Sequence, residues 1–261
     1  PYRETRRPFY RNSPLTDGIG SFFCSLSRRS SSVKDTNPPD SPFFLKFNEA
    51  SRTMSLLLNV PFAEKENAAA KGARWDNIAQ TWYLPEDQYD RLMEIDQWIP
   101  EKNPSIIVPS EVSIVHASRP CWKCRHNNPV IALAGSYFYE KDMSERDEAV
   151  WLAQDFFTLF QQVTAISDNL QIFLKDYYPH FSAAHTAGGQ YWLNHCESCN
   201  SIQGDWHLFD EAGSVFNPTE KAAAELLLIR NIQLKYAPLI DAGYCLGDHL
   251  KLINEFAQRA D

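Results

Sequence analysis

The feature that most constrains this chain is a pair of Cys-x-x-Cys motifs set far apart: Cys121-Trp122-Lys123-Cys124 and Cys196-Glu197-Ser198-Cys199. Two residues between cysteines let both thiolates of a tight turn face one ion, and four such ligands close a tetrahedral zinc shell. A polar turn segment comes after each pair, Arg125-His126-Asn127-Asn128 in one case and Asn200-Ser201-Ile202-Gln203-Gly204 in the other. Each then leads into an apolar run, residues 130–133 and 206–209, that reads as a strand. Knuckle, turn and strand, twice over, predict a zinc-ribbon-like layout built on one structural Zn2+ held by Cys121, Cys124, Cys196 and Cys199.

The 71 residues between Cys124 and Cys196 are many more than a compact ribbon carries. Loop closure costs only about 0.6 kcal/mol per doubling of length, so the stretch adds on the order of 1 kcal/mol. Structural zinc contributes on the order of 10 kcal/mol in small peptides, so the metal outweighs the loop. Three alternatives stay open: redox-active pairs, two separate ions helped by His126 or His195, and an iron–sulfur cluster. Cys24 lies in the N-terminal segment, and Cys245 reads as a small buried apolar residue.

Cysteines in motif pairs, in a chain without a secretory pattern at its start, predict a cytoplasmic protein and not a disulfide scaffold. No apolar run is long enough to cross a bilayer. The net charge of -8 hides an asymmetry: residues 1–53 carry nine Lys/Arg against five Asp/Glu, so residues 54–261 stand at -8 - 4 = -12. An acidic body disfavours phosphate backbones, whose binding comes from basic groups displacing counterions. A protein partner is therefore favoured over nucleic acid.

Residues 1–53 are rich in Ser, Pro and Arg, with phenylalanines at no period. Two expectations compete there: upstream sequence ahead of a natural start at Met54, or a disordered extension. Residues 54–100 read as a strand–helix–hairpin–helix unit. Leu56, Leu58 and Val60 alternate as in a strand, residues 64–71 favour helix, and Gly72 sits where a helix ends. Residues 74–75 and 81–84 form the hairpin arms, and Pro85 opens a second helix. A linker is expected at 100–104, then strands within 105–115 and 129–139. From Ser144, a candidate cap, the period changes: Leu152, Phe156, Leu159, Phe160 and Val163 fit one helical face, which predicts a helical insertion over 143–190. Asn217-Pro218-Thr219-Glu220 predicts a helix start running through 222–234, and a last helix is expected near 248–258. The fold expected is α+β: a small domain at 54–100, then a zinc-ribbon-like β domain at 105–261 with a helical insertion and C-terminal helices.

The string Leu58-Asn59-Val60-Pro61-Phe62-Ala63-Glu64-Lys65, with Gly72-Ala73-Arg74-Trp75-Asp76 and Thr81-Trp82-Tyr83-Leu84-Pro85, resembles a bacterial domain of unknown function, family 5710. That domain is also found at the front of conjugative-plasmid DNA primases. The resemblance implies no activity, but the company the domain keeps gives an alternative function, an accessory DNA- or RNA-processing protein. Lys71, Arg74, Trp75, Trp82 and Tyr83 are candidates for a ligand surface, an aromatic platform beside basic groups. Core packing is the favoured role for the aromatic residues, and Arg74 is a candidate ion-pair partner for Asp76.

No Gly-rich phosphate loop, His-Glu-x-x-His or Gly-x-Ser-x-Gly occurs, and no nucleophile–base pair stands out. His180 and His185, with Asp176, are the candidates for an enzymatic site, and His207 reads as a residue on a strand face. The leading expectation is a non-catalytic adaptor that binds a macromolecule through a zinc-stiffened surface.

Overall fold

A computed structural model of the chain describes residues 54–100, 104–142 and 150–260. The expectations for residues 1–53, most of the linker and the cap at Ser144 lie outside the described residues. The fold is mixed α+β with more strand than helix.

Residues 54–100 obey the local signals closely. Strand β1 (Leu56–Leu58) gives way at Pro61 to a 3-10 turn and helix α1 (Lys65–Ala70), which ends on Gly72 at φ +93. A non-glycine side chain is disfavoured at that backbone angle. The hairpin is β2 (Arg74–Asp76) and β3 (Thr81–Leu84), and the sheet order is β1-β3-β2. Its turn is held by the Asp76 carboxylate, which accepts the backbone N–H groups of Ile78 and Ala79. After Pro85 come a 3-10 turn (Glu86–Arg91), helix α2 (Leu92–Ile95) and a second 3-10 turn (Asp96–Trp98).

This unit shares its core with the C-terminal part of the chain. Leu56, Leu84, Ile95 and Trp98 pack in one cluster with Ile107, Trp151, Ala237 and Leu239. At the seam, both oxygens of Asp96 lie 2.8 Å from Lys141 Nζ, and Trp151 Nε1 donates to Asp96 Oδ1 at 2.8 Å.

The main sheet contains β4 (Ile106–Ile107), β5 (Val112–Pro120), β6 (Asn127–Asp142) and β7 (Val150–Ile166). Helix α3 (Asp168–Tyr177) comes next, then a separate three-stranded sheet of β8 (Phe181–Thr186), β9 (Gly189–His195) and β10 (Ile202–Gln203). A π-helical turn (Trp206–Asp210), the short helix α4 (Lys221–Ala224) and strands β11 (Leu228–Ile232) and β12 (Leu239–Tyr244) lead to α5 (Asp248–Phe256) and β13 (Gln258–Ala260). The main sheet runs β13-β11-β5-β6-β4-β12-β7, and β7 also pairs with β6. The ladder β6-β4-β12-β7 therefore closes on itself.

Three sequence expectations fail here. The helical insertion expected over 143–190 is mostly strand among its described residues, 150–190: β7 is a 17-residue strand, and of these residues only α3 is helical. Its apolar residues divide between two cores by alternation. Phe157 and Leu159 face one cluster, while Phe156 and Phe160 face the other. Gln162, at φ +52, then breaks the alternation, and Val163 joins Phe160 on its side. Burial on both faces with a phase shift mimics a helical spacing. The helix expected over 222–234 stops at Ala224; beyond it β11 slots between β5 and β13, where Ile229 and Ile232 are buried. The strand expected at 206–209 is instead the π-helical turn, which puts His207 on an exposed turn and not on a strand face. The final helix falls where its pattern placed it.

Candidate metal centre

Each cysteine pair forms the tip of a β-hairpin. Cys121 and Cys124 lie in the turn from β5 to β6, and Cys196 and Cys199 in the turn from β9 to β10. The two turns share one backbone design. Cys121 N–H donates to the His126 carbonyl at 2.7 Å and Arg125 N–H to the Cys121 carbonyl at 3.0 Å. In the second turn, Cys196 N–H donates to the Ser201 carbonyl at 2.9 Å and Asn200 N–H to the Cys196 carbonyl at 2.8 Å. Arg125 (φ +62) and Asn200 (φ +55), each just after the second cysteine, take the left-handed conformation that closes the knuckle. Asparagine tolerates this conformation better than most residues, and arginine adopts it at a cost.

All four sulfur atoms lie within 4.8 Å of one another. Across the two hairpins, Cys121 Sγ is 3.7 Å from Cys199 Sγ and Cys124 Sγ is 3.6 Å from Cys196 Sγ. Zinc–sulfur bonds of about 2.3 Å in a tetrahedron place sulfurs about 3.8 Å apart, so the cluster fits such an ion. Hydrogen bonds to the sulfurs, their burial and their crowding together set their titration. The backbone N–H of Cys124 pulls the Cys121 thiol down to about 6, and the Ser201 hydroxyl lowers Cys199. For Cys124, the backbone N–H of His126 pulls downward, but burial and the neighbouring sulfurs outweigh it and push the thiol up to about 11. Crowded thiols cannot all ionise together, and a bound cation lifts that restriction.

Polar groups around the sulfurs fix them in place. Lys123 N–H points at Cys121 Sγ at 3.4 Å, Gln203 Nε2 at the same sulfur at 3.5 Å, and Cys199 Sγ lies 3.3 Å from the Ser201 hydroxyl. Two buried asparagines bind the hairpins to each other. Asn194 Oδ1 accepts the Ile131 N–H at 2.8 Å, and its Nδ2 donates to the Ile131 carbonyl at 2.9 Å, so one side chain completes a strand edge across two sheets. Asn128 donates to the His195 carbonyl and accepts the Glu197 N–H at 2.9 Å. Sequence reasoning missed Asn128, Asn194 and Gln203. The available signal was an amide residue at an inward strand position, as Asn194 is two residues after buried Trp192.

The histidines considered as helper ligands are engaged elsewhere. His126 Nε2 lies 2.7 Å from Glu197 Oε1, and His195 Nδ1 lies 3.0 Å from the Leu193 carbonyl. Cys245 is buried in a hydrophobic cluster, and burial pushes its thiol up to about 12. His180, His185 and Asp176 are all exposed, and the His180 carbonyl accepts the His195 N–H.

Of the five candidates for a ligand surface, the hairpin sets four into two cross-strand pairs, one on each face. Trp75 and Trp82 are cross-strand partners with ring centroids 5.7 Å apart, edge to face. Arg74 pairs with Tyr83 on the opposite face of the same hairpin, because successive strand residues alternate sides. Trp82 packs against the core while Trp75 is 42% exposed. Lys71 turns away: its ammonium donates to the Glu94 carbonyl at 2.9 Å and lies 5.3 Å from the Trp98 ring centroid. Asp76 pairs with Lys235 at 3.6 Å, not with Arg74.

Asp205, just past the second knuckle, lines a small cavity together with apolar residues including Ile131, Leu133 and Phe160, and accepts the Gln162 N–H at 2.9 Å. Burial pushes its carboxyl up to about 6, against the pull of that N–H. The unfolded chain gives up this proton near 3.8, so the group weakens the fold as pH rises from about 4 to about 6, with the full cost above that range. Asp205→Asn keeps an acceptor for Gln162. It is expected to raise stability at pH 8 by about 1–2 kcal/mol and to change it little at pH 4. Urea denaturation at the two pH values checks this, and an equal gain at both would show that the charge is not the cause.

Among the described residues, no helix is long and apolar enough to cross a membrane. No curated protein and no solved structure matches the chain. Residues 56–100 match a family model described as "Domain of unknown function (DUF5710)", so this segment is similar to that domain.

Proposed function

We propose that the chain is a non-catalytic binding protein whose two hairpin tips are joined by one structural zinc ion in a zinc-ribbon-like arrangement. The observation that carries this is the convergence of four thiol sulfurs within 4.8 Å, a cluster made of cysteines alone among the described residues. Four thiolates close the coordination shell and leave no position for water or substrate, so such an ion shapes a surface and performs no chemistry on a ligand. Soft thiolate ligands in a tetrahedron suit zinc, and the second hairpin gains a fixed position relative to the main sheet when the ion binds. The surface so fixed is the part of the molecule that meets a macromolecular ligand.

Elemental analysis of protein purified without added metal is expected to give one zinc per chain. Replacement by Co2+ is expected to give the visible absorption of a tetrahedral thiolate site, lost in Cys121→Ser. Protein with no bound transition metal, or with iron and inorganic sulfide, would end this proposal.

A further inference from the structure

A cleft of about 180 Å3 opens between the hairpin tips, lined by Arg119, Trp122, Gln203, Gly204 and His207. It is too small for a whole small-molecule site, which runs to about 300 Å3 or more, and it suits a single planar ring. One wall is the Trp122 indole, 60% exposed yet held in place by its Nε1–H, which donates to the Ile202 carbonyl at 2.9 Å. An exposed indole fixed along its edge is a prepared stacking face. The Arg119 guanidinium donates to the His207 carbonyl; that bond takes one of its five N–H donors. Gly204 leaves open space where a side chain would stand, and Trp206, in the adjoining turn, is 65% exposed.

Charge singles out the same place. Residues 54–261 stand at -12, which favours a protein partner for the molecule as a whole, but the acid is unevenly spread. Residues 112–139 contain no Asp or Glu, while Arg119, Lys123 and Arg125 fall within them around the first knuckle. The acids of the adjoining segments are Glu197, 2.7 Å from His126, Glu211, 3.7 Å from His207, Asp205, which accepts the Gln162 N–H, and Asp210.

We propose that this cleft takes a base of a single-stranded nucleic acid, stacked on Trp122, with the phosphates on either side running past Arg119, Lys123 and Arg125. The proposal rests on the zinc-centre reading for the rigidity of the cleft and names the ligand class for that surface. Stacking on exposed aromatic rings beside basic side chains is how single strands are held without reading their sequence. A duplex keeps its bases inside the stack and offers no ring to the cleft. An acidic peptide satisfies the three cations but gives the indole face nothing to stack on.

Fluorescence anisotropy with a labelled oligothymidylate at low salt tests this. Binding is expected, weakening as salt rises. Trp122→Ala is expected to weaken it about ten-fold, while Trp122→Phe retains most of it. Arg119→Gln is expected to make the salt dependence shallower by about one unit of log–log slope. Zinc content and circular dichroism must match the wild type in all three variants. Wild-type affinity in Trp122→Ala, or displacement of the oligonucleotide by poly-glutamate at equal charge, would overturn the proposal. Zinc-bearing protein that does not bind at low salt sinks the cleft alone. Metal-free protein that binds through Trp122 sinks the zinc centre and leaves the cleft standing.

Discussion

Removing the proposed zinc ion, by a strong chelator or by Cys196→Ser, is expected to unfasten the β8–β10 sheet from the main sheet and to cost about 3–5 kcal/mol. Structural zinc contributes on the order of 10 kcal/mol where nothing else holds the chain. Here the loss is smaller because Asn194 and Asn128 still bridge the hairpins and the three hydrophobic clusters stay buried without the ion. The damage should therefore be local. Amide hydrogen exchange is expected to speed up at residues 121–126 and 196–203, with the middle of β5 and β6 still protected. Thermal melts with and without chelator, read alongside exchange, provide the check. Unchanged melting and unchanged protection at both knuckles would show that the four sulfurs do no structural work.

Phe138→Ala is expected to cost about 3–5 kcal/mol, as for other fully buried phenylalanines cut back to alanine. Phe138 is 0% exposed, and its ring meets those of Phe156, Phe160 and Tyr244 at 5.5, 5.6 and 5.5 Å between centroids. It holds β6, β7 and β12 together where the ladder closes. A bulge between Gly135 and Tyr137 puts it there. Upstream, odd-numbered Ile131 and Leu133 face this cluster; past the bulge, even-numbered Phe138 does. Urea denaturation gives the measurement, with Phe62→Ala, at an 82% exposed position, expected to stay within about 0.5 kcal/mol of wild type. A loss under about 1 kcal/mol for Phe138→Ala would mean that the side chain points to the other side of the sheet.

The convergence of the four cysteines was legible because its signal is local. A Cys-x-x-Cys turn brings two thiols together whatever surrounds it. Their partners were not legible. Asn128, Asn194 and Gln203 matter because two hairpins from separate sheets meet, and nothing near them in the chain announces that meeting. The cleft beside Trp122 is of the same kind: β5 and the first knuckle supply Arg119 and Trp122, and β10 with the turn after it supplies Gln203, Gly204 and His207. Trp75 and Trp82 were the more conspicuous aromatics in the sequence, yet strand alternation separates them from Arg74.

By itself, the sequence determined the elements whose causes lie within a few residues: α1 ended by Gly72, the 74–84 hairpin around its Asp76 turn, α5 and the two cysteine knuckles. Tertiary structure alone decided that 150–166 and 228–232 are strands. Residues 157–160 are buried on both faces, and Ile229 and Ile232 enter different clusters on either side of exposed Arg230 and Asn231, so neither segment keeps the clean alternation that marks a strand from within. Local backbone preference is worth tenths of a kcal/mol per residue, whereas a buried phenylalanine or leucine contributes about 1.5–3 kcal/mol. Where the two compete, packing sets the outcome.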